Sequence, residues 1–314
     1  MPERLRVAVL AGGWSEERAV SLKSGEAVYQ SLDRNKYDIS WYDPREDLDV
    51  LMKKRGGIDM AFVLLHGQLG EDGRMQGMLD TLGIAFVGSG VLSSAMAFNK
   101  RVAKALYRSE GMTVPRDVIL RRGDDEHMDR EAESLGLPVV VKPVSEGSSV
   151  GICIADSAAG LRNGVAQAFQ FCSEVLVEEY VKGREVTCCV LGNRELKTLP
   201  IIEIRPAAAY AFFDYEAKYT PGATEEICPA PISETLAERV RENAKRAHRA
   251  LGCEVWSRTD MIIRDDEVIL LETNTIPGMT QTSLFPLSAR SAGMSFSQLL
   301  DELITLSLEK RSGN

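Results

Sequence analysis

Residues 255–274, VWSRTDMIIRDDEVILLETN, are typical of two apolar strands joined by an acidic turn, and they carry the strongest chemical signal in the chain. Residues two apart on a strand share a face, so Arg258 and Asp260 point the same way. Glu272 and Asn274 share a face of the second strand for the same reason. If the two faces coincide, the hairpin presents two carboxylates and an amide side by side.

The length of the connection decides whether those faces coincide. A two-residue turn at residues 265–266 places Asp260 and Glu272 on opposite faces, whereas a three- or five-residue connection sets them opposite each other. The odd-length connection also sets Arg258 opposite Asn274. Because hydrophobic pattern fixes register, we predict the odd-length connection, which buries four apolar side chains together. These are Met261, Ile263, Ile269 and Leu271.

Two carboxylates and one amide oxygen on a rigid hairpin suit Mg2+, which proteins often hold through one or two carboxylates together with substrate phosphates. We therefore predict that Asp260, Glu272 and Asn274 bind Mg2+, with two ions expected and Mn2+ able to replace them. A solvated surface hairpin is the alternative. It is the weaker interpretation, because both acids lie among apolar neighbours, where unpaired carboxylates are costly.

A second motif, residues 142–151 (KPVSEGSSVG), follows an apolar strand. Its two glycines and three serines form a flexible loop rich in backbone N–H and hydroxyl donors, which suits closure over phosphates. Lys142, at the strand end, supplies a point charge. The loop matches neither of the common glycine-rich nucleotide patterns, so alone it would be interpreted as a solvent turn. Beside a magnesium hairpin it indicates a nucleotide site.

The segment Glu174–Val181 places acids at the end of an apolar strand. The backbone of such an edge can pair with adenine, Glu178 can accept from the exocyclic amine, and Glu185 can hold ribose hydroxyls. A solvated acidic edge is the alternative. Near the N-terminus, a glycine turn opens a helix at Glu16 and Glu17, where one acid favours the helix dipole and the other can bind a substrate ammonium.

Composition excludes several classes of protein. The chain has 314 residues and a net charge of −9, with no cluster of Lys and Arg, so no nucleic-acid partner is expected. No apolar stretch reaches membrane-spanning length and the first one is too short for a signal peptide, so we expect a cytoplasmic protein without membrane contact. The six cysteines lack metal-binding spacing and indicate reduced, mostly buried thiols.

The order of strands and helices predicts an α/β (α+β) chain of three domains, 1–95, 96–182 and 183–314. The first alternates strand and helix, which predicts a parallel sheet, and the others mix strands with a few helices. The polar stretch Arg205–Glu226 predicts a functional lid. The predicted elements of the first domain are the strands Leu5–Leu10, Met60–Leu65 and Ile84–Val87, and the helix Glu16–Leu32.

The start of the last helix and the three histidines each lead to a further prediction. The sequence from Ser295 to Gln298 begins the last helix like a capping box. His127 and His248 are expected at the surface, whereas His66 is expected to donate to a substrate carboxylate or to the nucleotide.

Seven blocks of the sequence, taken in order, resemble the D-alanine–D-alanine ligases of the ATP-grasp superfamily over nearly the whole chain. So many matched blocks are far more specific than any one motif. The resemblance implies a three-domain ATP-grasp architecture with an N-terminal parallel α/β domain, ATP clamped between the second and third domains, and a role in peptidoglycan precursor synthesis. The matching blocks are residues 12–21, 65–73, 88–91, 142–151, 214–219, 258–261 and 271–284.

The resemblance also implies a reaction. Glu17 would bind the ammonium of the first D-alanine, whose carboxylate takes the γ-phosphate of ATP to form D-alanyl phosphate. The amine of the second D-alanine would then attack, while Arg258 and the backbone N–H of Gly278 stabilise the oxyanion. Ser283 and Leu284 would hold the second carboxylate. The products would be D-alanyl-D-alanine, ADP and phosphate.

A lid is part of the same resemblance. Ser148 and Tyr219 would join the glycine-rich loop to the lid and to Glu17, excluding water from the acyl phosphate. A tyrosine at position 219 marks ligases that make the dipeptide rather than the D-lactate ester. A homodimer is expected from the family. The residues implied to contact ATP are Lys100, Lys142, Ser148, Glu178, Glu179, Tyr180, Val181, Glu185, Phe213, Lys218 and Asn274.

Two alternatives remain. The first is another ATP-grasp ligase, for L-amino acids or hydroxy acids including D-lactate, and the set Glu17, Ser148 and Tyr219 disfavours it. The second is a nucleotide-binding regulatory protein without turnover, and the retention of Arg258 with the complete metal set disfavours it.

Overall fold

The N-terminal segment forms a parallel sheet, as predicted. The computed structural model describes residues 4–123, 134–147, 151–206 and 224–312. The strand order is β2-β1-β3-β4, with Val7 of β1 opposite Met60 of β3. Strand β2 was not predicted, since it is a half-exposed edge strand with little apolar signal. The elements are β1 Leu5–Leu10, α1 Arg18–Ser31, β2 Tyr37–Tyr42, α2 Pro44–Lys53, β3 Met60–Val63, α3 Arg74–Thr81 and β4 Ala85–Phe86.

The second sheet is antiparallel, with strand order β5-β8-β6-β7. Helix α6 covers it through Leu161 and Val165, and begins where Ser157 Oγ accepts from the Gly160 N–H at 3.2 Å. The elements are α4 Val91–Phe98, α5 Lys100–Ser109, β5 Asp117–Arg121, β6 Val139–Pro143, β7 Cys153–Ala155, α6 Ala158–Ala168 and β8 Glu174–Glu179.

The third sheet is also antiparallel, in the order β12-β11-β9-β13-β14, with β10 on β9. Helix α7 packs on it through Val240, Ala244 and Ala247, at the helical spacing visible in the sequence. The elements are β9 Arg184–Gly192, β10 Lys197–Thr198, β11 Ile202–Pro206, β12 Thr224–Ile227, α7 Glu234–Ala250, β13 Val255–Arg264, β14 Glu267–Asn274, α8 Leu284–Ser291 and α9 Phe296–Ser312.

The last helix returns to the first sheet. Its predicted capping box is confirmed: the Ser295 N–H donates to Gln298 Oε1 at 2.8 Å, and the Gln298 N–H donates to Ser295 Oγ at 3.2 Å. Leu303 of α9 shares one hydrophobic cluster with Val9 and Phe62. The third segment is therefore anchored on the first, although the domain boundaries at residues 95 and 182 remain a prediction.

The connection between β13 and β14 corrects the predicted hairpin. Arg264 pairs with Glu267, so two residues connect the strands and the odd-length prediction was wrong. A β-bulge restores the predicted pairs: beyond it, Asp260 lies opposite Glu272 and Arg258 opposite Asn274. The extra residue is Leu271.

The bulge also changes which side chains share the buried face. Val268 and Leu270 join Met261 and Ile263 in the hydrophobic cluster beneath α7, whereas Ile269 and Leu271 had been predicted there. Leu271 instead lines a cavity beside Ile262. The hydrophobic alternation predicted the acidic face correctly and the apolar face only in part.

The structure shows how far several residues outside the site are buried. His248 was predicted at the surface but is buried, with Nδ1 2.7 Å from Ser257 Oγ, because it lies on the sheet-facing side of α7. His127 lies outside the described residues. All six cysteines are free thiols, and Cys188, Cys189 and Cys253 are buried. None of the helices in the described ranges is long and apolar enough to cross a membrane.

Candidate active site

A cavity lies between the second and third sheets. Its floor and walls are apolar side chains from both, including Val140 and Ile154 from one sheet and Ile262 and Leu271 from the other. Such a slot between two sheets suits a flat aromatic base. The predicted nucleotide residues brought together here are Lys142, Glu178, Glu179, Tyr180, Val181 and Glu185.

Glu178 is the electrostatic centre of this nucleotide cavity. It is almost fully buried and accepts from Lys104 Nζ at 2.6 Å and from Lys142 Nζ. Burial alone would raise the pKa of Glu178, but the two ammonium groups lower it to about 2. The sequence did not predict Lys104, which is buried on α5. The predicted acceptor for adenine therefore also fixes Lys142 at the cavity wall.

The hairpin places its acids at the end of this cavity. Asp260 and Glu272 both line it, and Asp260 accepts from Arg258 through Nε at 2.9 Å and Nη2 at 2.8 Å. Lys100 Nζ lies 3.6 Å from Glu272 Oε2. Asn274 Nδ2 donates to Asp260 Oδ2 at 3.2 Å.

The donor set fits Mg2+. Two carboxylates and an amide on adjacent strands provide only oxygen ligands for a hard cation. Within the described ranges there is no group of three or more His, Cys, Asp or Glu side chains that could hold a metal, so this hairpin needs substrate phosphate or water to complete a shell.

Arg258 and Asn274 of the same hairpin line a second cavity. The predicted amino-acid-binding residues come together in it, and two further acids, Glu71 and Glu226, also line it. The predicted residues present here are Glu17, His66, Arg258, Gly278, Ser283 and Leu284.

The structure distinguishes the two acids that open α1. Glu16 is exposed, whereas Glu17 is buried and lines the second cavity, which we call the amino-acid cavity. A Cβ atom on Gly147 would lie 2.5 Å from Glu17 Oε2, so the loop backbone approaches this carboxylate closely, and a side chain at position 147 would displace the carboxylate. The residue after Gly147 is Ser148, which lies outside the described residues.

Glu71 is a second buried carboxylate beside Glu17. It accepts from the Gly67 N–H at 2.8 Å. Burial, and then the charge of Glu17, raises the pKa of Glu71 to about 8, so Glu71 holds a proton at neutral pH. Sequence reasoning used Glu71 only as part of a family block. Its proximity to Glu17 depends on the turn after β3 and has no local signal.

His66 is neutral in this cavity. Burial, assisted by the charge of Arg258, lowers the pKa of His66 to about 4. Among the described residues, His66 Nε2 has no hydrogen-bond partner. A buried ring nitrogen without a partner is costly, so this atom is suited to a bound ligand.

The N-terminus of α8 also opens into the cavity. Ser283 precedes its first residue, Leu284, and Ser283 Oγ lies 3.0 Å from the Thr280 N–H and 2.7 Å from Thr280 Oγ1. Unpaired N–H groups and the helix dipole make such an end favourable for a carboxylate.

Comparison with known proteins places this geometry in a family. Models described as "D-ala D-ala ligase C-terminus" and "D-ala D-ala ligase N-terminus" match residues 106–305 and 45–89. A D-alanine–D-alanine ligase from Syntrophobacter fumaroxidans is 52% identical over 307 residues, covering 98% of this chain and 99% of that protein. The chain belongs to the D-alanine–D-alanine ligase family.

Solved members of the D-alanine–D-alanine ligase family share the fold along the whole chain. The Bacillus anthracis D-alanine–D-alanine ligase complexed with ATP superposes with a TM-score of 0.87 at 39% identity, covering 98% of this chain and 99% of that one. The VanG D-Ala:D-Ser ligase of Enterococcus faecalis gives 0.84 at 34% identity, covering 97% and 100%. The predicted ATP-grasp fold is confirmed.

Four residues predicted from the family lie outside the described ranges. They are Ser148, Phe213, Lys218 and Tyr219. Lys100, the remaining predicted nucleotide residue, lies below the glycine-rich loop, where its Nζ donates to the Glu146 carbonyl at 2.6 Å. Lys100 therefore links the loop to Glu272.

Proposed function

We propose that this protein ligates two D-alanine molecules to D-alanyl-D-alanine through D-alanyl phosphate, with ATP converted to ADP and phosphate. Two cavities share one hairpin, and this observation carries the proposal: Asp260 and Glu272 line a slot suited to a nucleotide, and Arg258 and Asn274 line a charged cavity suited to small zwitterions. The family relatives named as D-alanine–D-alanine ligases support the same activity.

The first step joins the donor carboxylate to the γ-phosphate. Glu17 binds the donor ammonium, which leaves the donor carboxylate directed toward the hairpin. Lys142 and Lys100 bind the nucleotide phosphates. Mg2+, held by Asp260, Glu272 and Asn274, supplies neutralisation of phosphate charge when bound. The P–O bond to ADP breaks as the bond from the carboxylate oxygen to phosphorus forms.

The second step forms the amide. The acceptor ammonium loses a proton to solvent, and the resulting amine attacks the acyl carbon. The C–O bond to phosphate breaks, and inorganic phosphate leaves as the nitrogen gives up its second proton. Arg258, fixed in orientation by Asp260, and the Gly278 N–H stabilise the oxyanion. Ser283 and the start of α8 bind the acceptor carboxylate.

Closure of the site protects the acyl phosphate from water. Ser148 and Tyr219 join the glycine-rich loop and the lid to Glu17, and Lys218 reaches the transferring phosphate. The family resemblance assigns Phe213 to ATP binding. With Tyr219 in place, the enzyme makes the dipeptide and little D-lactate ester.

The protein acts in the cytoplasm, where ATP is supplied, and forms a homodimer through its first domain. Size-exclusion chromatography with light scattering measures the dimer directly: a mass near twice 34.5 kDa is expected.

A phosphate-release assay separates the candidate activities. Release that needs ATP, Mg2+ and D-alanine, and fails with L-alanine, is expected. Release with L-amino acids would support another ATP-grasp ligase, and ATP binding without release would support a regulatory protein. The VanG relative favours one further comparison, with D-serine as acceptor, because its name states that specificity.

A further inference from the structure

Glu226 is a charged wall of the amino-acid cavity that the proposed reaction does not use. It lies on β12, the short strand that follows the lid segment, and its side chain lines the cavity together with Arg258, Gly278 and Ser283. Alternation along the strand separates it from Glu225, which is 70% exposed and lies 3.8 Å from Arg205. Only one of these two adjacent acids therefore lines the cavity.

The carboxylate of Glu226 lines the cavity at a position set by β12. Within the ranges that the structure describes, it forms no hydrogen bond or ion pair. Burial raises the pKa of Glu226, while the charges of Arg258 and Arg290 act in the opposite direction and favour its ionised form. A half-buried acid held near two guanidinium groups, but bonded to neither, is available to a cationic ligand.

The position of β12 associates Glu226 with the acceptor rather than the donor. Strand β11, paired with β12 through Ile204 and Glu226, packs on α8 through Ile204 and Leu284. The acceptor carboxylate is assigned to Ser283 at the start of that same helix. Glu17, assigned to the donor ammonium, lies on α1 of the first domain.

The charges of the two substrates, set against those of the cavity, assign a role to Glu226. Each substrate enters as a zwitterion, so the acceptor brings an ammonium as well as a carboxylate. Glu17 is committed to the donor, and Glu71 lies beside Glu17, where it accepts a hydrogen bond from the Gly67 N–H. Among the described acids lining this cavity, Glu226 is the one that remains for the acceptor ammonium.

We infer that Glu226 is a specificity-determining residue of the acceptor site, which attracts the ammonium of an amino-acid acceptor and so favours amino acids over hydroxy acids. This inference rests on the proposed function. D-lactate carries no ammonium, so binding it leaves the Glu226 carboxylate desolvated without a partner. D-alanine provides the missing charge.

The test is the ratio of dipeptide to ester when D-alanine and D-lactate compete as acceptors, measured by mass spectrometry for the wild type, Glu226→Gln, Glu226→Asp and Glu225→Gln. Loss of a charge-assisted contact predicts that the ratio falls about tenfold in Glu226→Gln. Glu226→Asp keeps the charge and is expected to retain most of the preference. Glu225→Gln, on the solvent side of the same strand, is the matched control and is expected to behave like the wild type.

The possible results distinguish failure of this inference from failure of the proposed function. An unchanged ratio in Glu226→Gln, or an equal change in Glu226→Gln and Glu225→Gln, would overturn the inference. If the wild type releases no phosphate with D-alanine, the proposed function fails and this inference fails with it. If Glu226→Gln does not fold, Glu226→Asp decides, since the shorter carboxylate must still prefer D-alanine to D-lactate by more than a folded Glu226→Ala.

Discussion

Asp260 on β13 lies directly opposite Glu272 on β14, although only two residues connect the strands. A regular two-residue hairpin would pair Asp260 with Leu271 and turn the acids to different faces. The bulge at Leu271 shifts the register by one residue and brings the acids together at the end of the nucleotide cavity. The proposed metal-binding geometry therefore depends on one extra residue in one strand.

Glu272→Gln tests the role of that pair. The substitution keeps the shape of the side chain but removes a charge that would bind Mg2+, so kcat/KM is expected to fall by about a hundredfold or more and to need more Mg2+. Initial rates measured across Mg2+ concentrations check this. Glu267→Gln, an exposed acid on the same hairpin paired with Arg264, is the control. Equal rates for both variants would contradict the metal assignment.

Glu178→Gln tests the buried network of the nucleotide cavity. Removing this charge leaves Lys104 and Lys142 without their shared partner, and such a loss costs about 3 to 5 kcal/mol of unfolding free energy. Urea denaturation followed by circular dichroism measures it. Glu179→Gln breaks a partly exposed pair with Arg116 and is expected to cost less than about 1 kcal/mol. Similar losses for the two variants would argue against a buried network.

The same network predicts acid sensitivity. The pKa of Glu178 is lowered to about 2, below its unfolded value, so its contribution is present above about pH 4 and is lost as the pH falls toward 2. The stability difference between the wild type and Glu178→Gln should therefore shrink across that interval. A difference that stays constant would show that the charge of Glu178 is not responsible.

Glu71→Gln tests a pH dependence of stability that is opposite in sign to that of Glu178. The pKa of Glu71 is raised to about 8, so the folded protein binds the proton more tightly than the unfolded chain between about pH 4.3 and 8. Wild-type stability therefore declines over this interval, because the unfolded chain can release the Glu71 proton while the folded protein, with Glu17 beside it, keeps that proton. Relative to the wild type, Glu71→Gln should gain stability as the pH rises from 5 to 8, in urea unfolding at each pH. A gap independent of pH would refute the shared burial of these acids.

His66 is expected to act as a neutral hydrogen-bonding group. Because its pKa is lowered to about 4, kcat/KM should show no inflection from His66 near pH 6.5. His66→Gln should raise the KM for D-alanine while leaving the shape of the profile between about pH 5.5 and 7.5 unchanged. An inflection near pH 6.5 in the wild type that disappears in His66→Gln would mean that the ring titrates.

Periodicity and local chemistry predicted much of this architecture. The apolar run Leu5–Leu10 is a strand at the predicted residues, and alternation correctly paired Asp260 with Glu272. The bulge was missed because Leu271 is as apolar as its neighbours, so nothing in the composition distinguishes an extra residue from a regular one. The local sequence did not distinguish Glu16 from Glu17; the family resemblance selected Glu17, and the structure shows that Glu17 is the acid that lines the cavity.

Sequence reasoning missed three residues of the site for the same reason. Lys104, Glu71 and Glu226 are ordinary charged residues in their local sequence. Glu71 and Glu226 line a cavity, and Lys104 contacts Glu178, only through packing between distant segments. Lys104, for example, pairs with Glu178, 74 positions away. Such partners follow from the assembled sheets and not from motif spacing.

The central claim is that a D-alanine carboxylate is phosphorylated before the amide forms. D-alanine labelled with 18O in both carboxylate oxygens tests it directly, with the inorganic phosphate analysed by mass spectrometry. The mechanism predicts that one labelled oxygen moves from the donor carboxylate into phosphate for each dipeptide made. Dipeptide formed together with unlabelled phosphate would contradict it.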